Sequence, residues 1–115
     1  MNKKTYFAVL TFVLGASTLL HADNENFTYG ELSGHDFSNQ SLKNSTWTHA
    51  DLSNASFAGA NLDGANFEDA SLNGTDFTDA IITNMHWGAS FTRNQLYSTA
   101  SYKNKDLSGL KLEYY

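Results

Sequence analysis

The fold is decided by the stretch ADLSNASFAGANLDGANFEDA (residues 50–70), in which a large apolar residue recurs at every fifth position. The same spacing extends in both directions. The large apolar residues, here called the centres, are Phe27, Leu32, Phe37, Leu42, Trp47, Leu52, Phe57, Leu62, Phe67, Leu72, Phe77, Ile82 and Trp87. An amphipathic helix would place apolar residues at i, i+3, i+4 and i+7, and a half-buried strand would alternate them. A period of five matches neither element.

Two further positions of each five-residue unit are restricted. Small residues precede the centres by two positions, at Ser45, Ala50, Ala55, Ala60, Ala65, Ala70, Thr75 and Ala80. Gly, Asn or Asp follows most centres by two positions, at Gly34, Asn39, Asn44, Asn54, Gly59, Gly64, Asp69, Gly74, Asp79 and Asn84. Residues two apart point to the same side of an extended segment, and Gly, Asn and Asp tolerate left-handed backbone angles. The pattern therefore predicts one corner in each unit and a four-sided coil made of four units.

Units such as ADLSN at 50–54, ANLDG at 60–64 and ANFED at 65–69 resemble the A(D/N)LXX unit of pentapeptide-repeat proteins. The resemblance covers about residues 25–89. It implies an all-β fold, a right-handed quadrilateral β-helix with the centre and the small residue inside. Because four units make one coil, this length makes about three coils, which rise about 16 Å at a strand spacing of about 4.8 Å.

A coil of four units sorts the centres into four columns. These are Phe27, Trp47, Phe67, Trp87; then Leu32, Leu52, Leu72; then Phe37, Phe57, Phe77; then Leu42, Leu62, Ile82. Aromatic columns oppose each other and aliphatic columns oppose each other, which fills the cross-section evenly. In the first coil the small-residue positions are polar or empty (Glu25, Gly30, His35, Gln40), and this coil is predicted to cap the end.

The segment 1–22 is predicted to be a signal peptide. Lys3 and Lys4 precede an uncharged apolar run at 6–20, and Ala22 offers a small residue for cleavage. The run is short for a bilayer span, although an uncleaved membrane anchor is the alternative. We therefore expect a secreted or periplasmic protein with no membrane contact after cleavage. Because the chain has no cysteine, disulfides are excluded.

Charge is unevenly distributed in a chain that starts at Asp23. It carries 12 acids against five bases, and four of those bases follow Gly88. The repeat body is acidic and the tail is basic, which argues against a nucleic-acid partner for the body.

After Trp87 the period breaks. Thr92 is the predicted N-cap of a helix over Arg93 to Tyr102, Gln95 its capping-box partner, and Phe91 and Leu96 its hydrophobic staple. An irregular loop is the alternative. Units at 105–109 and 110–114 then resume the spacing of five. The predicted organisation is a signal peptide at 1–22, the β-helix at 23–89, a capping or interrupting helix at 90–104 and a resumed repeat tail at 105–115.

The stretch 95–102 and the resumed units resemble a segment of larger pentapeptide-repeat proteins, in which a helix interrupts one stack and another begins. This suggests a truncated relative of a longer protein, with Tyr114 and Tyr115 patching an exposed end or meeting a partner.

No sequence motif for catalysis or cofactor binding occurs, so we expect no enzyme activity, no cofactor and no metal. His35, His49 and His86 fall at three different repeat positions and cannot converge on one metal. The coil stacks His49 over Asp69 and Lys43 over Asp63, which predicts ordinary surface ion pairs. Glu31 over Asp51 is a like-charge stack, and a weak cation site there is the functional alternative.

The sequence favours a non-catalytic exported scaffold or protein-interaction module with an unknown protein partner. A homodimer through the coil ends or the tail is the second partner prediction. Two alternatives remain: an acidic DNA mimic that binds a topoisomerase such as DNA gyrase, as cytoplasmic members of the family do, and a weak cation-binding surface protein. The outward acids are scattered over four faces, which disfavours the DNA mimic.

Overall fold

A computed structural model describes residues 22–111; the rest of the predicted signal peptide and residues 112–115, which include Tyr114 and Tyr115, lie outside this range. Parallel bridges join residues that lie four units apart: Asn26 to Thr46, Glu31 to Asp51, Asp36 to Ser56, Ser41 to Asn61, Thr46 to Asn66, Asp51 to Ser71, Ser56 to Asp76 and Asn61 to Ile81. Strands β1 (Asn66–Phe67) and β2 (His86–Trp87) pair in parallel with the same offset. The fold is β-helix-like, and the predicted circuit of four units is confirmed.

Each unit ends in a tight turn. The N–H of the third residue after a centre donates to the carbonyl of that centre, as from Ala60 to Phe57 at 2.9 Å. The residue two after each centre has a positive φ throughout residues 24–84, which confirms the predicted corners. Tyr29 and His49 also adopt this conformation, at φ 61° and 60°, although their side chains do not favour it. The circuit therefore imposes the corner even where the residue type opposes it.

The centres form the core. All thirteen are at most 1% exposed, and the small residues two positions before them are buried with them from Ser45 onward. The Phe57 ring stacks on Phe37 at 5.2 Å and on Phe77 at 5.4 Å, and it meets Trp47 and Phe67 edge to face at 5.0 and 5.5 Å. The two aromatic columns thus pack against each other along the axis, with ring pairs that stabilise more than their buried area alone.

The buried indole of Trp47 finds a hydrogen-bond partner inside the coil. The Trp47 indole N–H donates to Ser45 Oγ at 2.7 Å, and Ser45 Oγ donates to the Leu42 carbonyl at 2.6 Å. Ser45 stands where most units have Ala, because Trp47 brings an N–H into the core that needs an acceptor.

The first coil begins one residue before the predicted boundary. Ala22 occupies the position of a centre at 5% exposure, and its N–H donates to the Ser41 carbonyl at 2.9 Å. Of the four residues predicted to cap this end, Gly30 and Gln40 are buried, whereas Glu25 and His35 are half-buried. Cleavage after Ala22 would therefore remove a core residue from the coil.

The prediction of one continuous helix over Arg93 to Tyr102 is wrong. The chain forms α1 (Arg93–Ser98) and α2 (Ala100–Lys103), which are separated by Thr99 in an extended conformation with ψ 153°. Thr99 is the C-cap of α1 and the N-cap of α2, where its side chain accepts from the Tyr102 N–H. A Thr in this double role interrupts the helix because its hydroxyl competes for the backbone N–H.

Thr92 and Gln95 form a capping box at the start of α1, with hydrogen bonds of 3.2 and 2.8 Å. Phe91 lies in the core rather than only against Leu96: its ring is 3.8 Å from Trp87 and 4.9 Å from Phe77. Leu96 is partly buried against the same core.

Segment 95–111 forms the next layer of the stack. Gln95 Nε2 donates to the Leu72 carbonyl at 2.8 Å, Ala100 N–H donates to the Ala80 carbonyl at 2.9 Å, and Lys111 bridges His86. This last offset equals five units instead of four, so α1 and α2 replace one side of a circuit with a longer path. No helix in the described range is long and apolar enough to cross a bilayer.

Candidate interaction surfaces

The outer faces are ladders of short polar side chains that bond within their own unit. Ser38 donates to Asp36 through its N–H and its hydroxyl, and Thr78 does the same to Asp76. The hydroxyl and the backbone N–H of Ser38 lower the pKa of Asp36. These bonds hold the carboxylates close to the backbone and make the faces rigid.

Asp63 bridges to the coil above it. Its Oδ1 accepts from Thr83 Oγ1 at 2.7 Å and from Asn84 Nδ2 at 2.8 Å, and these two bonds lower the pKa of its carboxyl. The predicted ion pair between Asp63 and Lys43 is wrong, because the ion pairs within residues 22–111 are His49–Asp69 and Lys103–Asp79. The Asp63 carboxylate accepts hydrogen bonds from Thr83 and Asn84 instead. The charge of Lys43 lowers the pKa of Asp63 less than these two bonds do.

One corner carries a column of three larger side chains. The rings of Tyr29 and His49 stack at 4.9 Å and 15°, and His49 Nδ1 lies 3.9 Å from Asp69 Oδ2. The predicted His49–Asp69 pair is confirmed. Both partners are largely exposed, so the pair contributes about 0 to 1 kcal/mol.

The carboxylates and histidines of the described residues are spread over separate parts of the coil. Glu31 and Asp51 are bridge partners, as the like-charge stack requires. In residues 22–111, no three His, Asp or Glu side chains are grouped so that they could hold a metal ion together. His35 lies at an interior position, His49 at a corner and His86 in β2, on separate parts of the coil.

A groove of about 510 Å³ opens beside α2. It is lined by Tyr97, Tyr102, Lys103, Lys105 and Leu107. The two tyrosine rings lie 4.7 Å apart, and Lys103 Nζ donates to Asp79 at 2.7 Å. The large apolar side chains exposed in the described range are Tyr29, Ile81, Tyr97, Tyr102 and Leu107, and three of these five line the groove.

Lys105 occupies an unusual backbone position in this groove. Its N–H donates to the Tyr102 carbonyl at 3.0 Å, and the next N–H, of Asp106, donates to the Ser101 carbonyl at 2.8 Å. This is a Schellman ending of α2, with Lys105 at φ 59° where Gly or Asn is usual. The position holds a lysine against its backbone preference.

Sequence reasoning missed this groove. The spacing of five marks Leu107 as a centre, yet Leu107 is 38% exposed, and Leu110 packs against the core instead. The turn at 107–110 nevertheless has the geometry of a repeat, with Gly109 at φ 64° and the Leu110 N–H donating to the Leu107 carbonyl at 3.2 Å. The signal that was available is the concentration of lysine and tyrosine after Gly88.

Comparison with known proteins identifies the repeat and the fold. A family model for pentapeptide repeats matches residues 48–84 with eight copies. A pentapeptide repeat protein from the thylakoid lumen of Arabidopsis thaliana is similar in structure, with a TM-score of 0.58 and 31% identity over 59% of this chain and 47% of that one.

A pentapeptide repeat protein from the cyanobacterium Cyanothece 51142 aligns with a TM-score of 0.46 and 29% identity, over 79% of this chain and 57% of that one. The aligned part of this chain thus spans about half the length of these solved structures. A comparison with curated proteins found no match. The spacing of five, the parallel bridges four units apart and the likeness to the Arabidopsis protein agree, and the family model confirms the resemblance to pentapeptide-repeat proteins over residues 48–84.

Proposed function

We propose that this protein is an exported, non-catalytic pentapeptide-repeat module that binds or scaffolds another protein outside the cytoplasm. In this proposal its coils wind to the right and number about three. The basic start and the uncharged apolar run of the segment 1–22 support export. The similar protein from the thylakoid lumen also resides in a compartment beyond a membrane, which supports the same location.

The observation that carries the proposal is that different positions of each five-residue unit face the core and the surface. Apolar side chains fill the inside, whereas the polar side chains outside are held by hydrogen bonds within or between coils, as at Asp36, Asp63 and Asp76. A surface of this kind is rigid and varied, which suits recognition because little side-chain entropy is lost on binding. Reactive groups on it are spaced along ladders, whereas catalysis needs them to converge.

The proposal is tested by expressing the full chain with its native N-terminus and by photo-crosslinking in the cell. A photo-reactive amino acid replaces Lys43, Asn73, Thr78 or Tyr97, which are exposed positions on different parts of the surface. We expect the recovered protein to start at Asp23, as read by N-terminal sequencing, and at least one position to give a saturable crosslink to one extracytoplasmic protein.

Three results would contradict the proposal. An uncleaved protein found in the cytosol and crosslinked to a topoisomerase would favour the DNA mimic. Turnover of a substrate by the purified chain would show an enzyme. Crosslinks from no position would leave the surface without a partner. Sedimentation at several concentrations tells whether a second copy is that partner.

A further inference from the structure

We propose that the groove beside α2 is a docking site for a short acidic peptide segment of a partner protein, with one aromatic side chain packed against the exposed surfaces of Tyr97 and Tyr102. The inference rests on the proposed function, since it names the kind of partner that this interaction module takes. It depends on the groove residues and not on the repeat faces.

The apolar part of the groove consists of three large side chains that are exposed to solvent. Tyr97, Tyr102 and Leu107 are exposed by 48, 42 and 38%, although each could bury much of its area against a ligand. Tyrosine supplies a rigid contact surface at a low entropic cost, and it is enriched among the residues that dominate binding energy. The two rings, 4.7 Å apart and inclined at 39°, contact each other and form one aromatic wall of the groove.

The positive charge of the groove favours a negatively charged ligand. Lys103 and Lys105 line the groove of a chain whose net charge is −5. Lys103 is paired with Asp79 at 2.7 Å, whereas Lys105 has no carboxylate partner within residues 22–111, where the ion pairs are His49–Asp69 and Lys103–Asp79. A carboxylate on the ligand is the group that complements the Lys105 ammonium.

The backbone conformation at Lys105 does not call for a lysine. Glycine would fit φ 59° at the end of α2 without steric cost, whereas a side chain there is disfavoured. The Schellman hydrogen bonds use only backbone atoms, so the fold does not require a lysine.

The surroundings of the groove favour a short peptide over an extended polyanion. The positive charge of the groove is confined to Lys103 and Lys105, because Asp79 lies beside Lys103 and Asp106 follows Lys105 in the chain; a strand of nucleic acid or an anionic membrane, whose charge extends past the groove, would meet these carboxylates. A volume of about 510 Å³ accommodates one large side chain with its neighbours.

The test uses the full chain and three blocked pentapeptides: DEFED, DEAED, which lacks the aromatic ring, and KKFKK, which reverses the charge. Binding is followed by the ring-proton signals of Tyr97 and Tyr102 in NMR titrations. We expect DEFED to shift both signals saturably, and the other two peptides to bind at least about tenfold more weakly.

Two variants and one control sharpen the result. Lys105→Gly should weaken DEFED binding at least about threefold while raising the melting temperature by about 4 °C, because the strained backbone is relieved. Tyr97→Ala should remove the binding. Lys43→Ser removes a charge that does not line the groove and should leave binding unchanged. The melting transition of each variant shows that it is folded.

The proposal is overturned if DEFED does not bind, if it binds Lys105→Gly as well as the parent, or if KKFKK binds equally. Preferential binding of phosphatidylglycerol vesicles or of oligo-dT over DEFED would assign the groove to a membrane or to single-stranded nucleic acid instead. If the groove fails while crosslinks from Asn73 or Thr78 persist, the interaction module stands and only its docking site is wrong.

Discussion

The repeat body at 22–88 and the C-terminal segment at 93–111 both add layers to one stack, but different interactions hold them. In the body, the role of a residue follows from its position in the unit: Phe57 is buried because it is a centre, and Asn54 has a positive φ because it stands at a corner. In the C-terminal segment, local capping at Thr92 and Thr99 decides where the chain turns.

The body and the C-terminal segment should therefore differ in how strongly a substitution affects the stability of the stack. A change inside the body alters contacts with the coils on both sides, because a centre such as Phe57 touches the centres one circuit before and one circuit after it. A change in the C-terminal segment alters one layer at the end of the stack. We therefore expect substitutions inside the body to cost more stability than substitutions in the C-terminal segment.

The largest effect is expected from a charge in the aromatic core. Phe57→Lys removes ring contacts with four neighbours and buries an ammonium without a partner. The cost exceeds the net stability of a domain of this size, so we expect no cooperative transition in thermal unfolding followed by circular dichroism. The matched change Tyr97→Lys, on an exposed residue of α1, should alter the unfolding free energy by less than about 0.5 kcal/mol. Equal melting temperatures of the two variants would show that the body and the C-terminal segment do not differ in this way.

A smaller effect is expected at two glycine corners that share φ 74°. At Gly34 a Cβ would meet no atom within 4 Å, whereas at Gly64 it would meet the side chain of Asn44 from the coil before. Gly34→Ala therefore costs only the left-handed backbone, about 1 kcal/mol, and Gly64→Ala costs about 1 kcal/mol more. Denaturant unfolding measures both. The excess should vanish in an Asn44→Gly background, and its persistence there would show that the stacking of corners is not its cause.

A local effect is expected at the capping box. Thr92→Ala removes the acceptor for the Gln95 N–H and should destabilise α1 by about 1 kcal/mol, whereas Thr92→Ser should retain it. Hydrogen exchange should accelerate at Ala100 N–H, which bonds to the body, and should stay unchanged at Ala60 N–H, which lies within it. Acceleration at both sites would mean that body and segment unfold as one unit.

The smallest effect is a pH dependence at Asp63. Hydrogen bonds from Thr83 and Asn84 lower the pKa of this carboxyl below its ordinary value of 3.8, so its stabilising contribution is present above that value and is lost as the pH falls through the folded-state pKa. The carboxyl is largely solvated, which keeps the effect small. The difference in melting temperature between the parent and Asp63→Asn should shrink from pH 5 to about pH 2. A constant difference would show that ionisation of Asp63 does not stabilise the fold.

The body could be predicted from the sequence because one rule repeats. The spacing of five places Phe27 on Trp47 and Phe37 on Phe57, and the structure has ring distances of 4.0 and 5.2 Å for these pairs. The position of a residue in the five-residue unit determines its backbone conformation, its burial and whether it stands at a corner. An error in one unit therefore does not carry over to the next.

The groove could not be predicted because no repeat relates its members. Tyr97 and Tyr102 meet only because Thr99 breaks the helix between them, and Leu107 joins them because the chain returns to pair Lys111 with His86 at an offset of five units. Each event depends on a single side chain or on the length of one connection, which local propensity does not determine. The Lys43–Asp63 ion pair was wrong for a similar reason: Thr83 and Asn84 offer the carboxylate shorter bonds.

The most direct test of the stacked circuit is a nuclear Overhauser spectrum of the protein with its phenylalanine rings labelled. We predict ring-to-ring cross-peaks of Phe57 with Phe37 and with Phe77, which lie one full circuit earlier and one full circuit later in the chain. Cross-peaks of Phe57 confined to residues three or four positions away, as in a helix, would contradict the account.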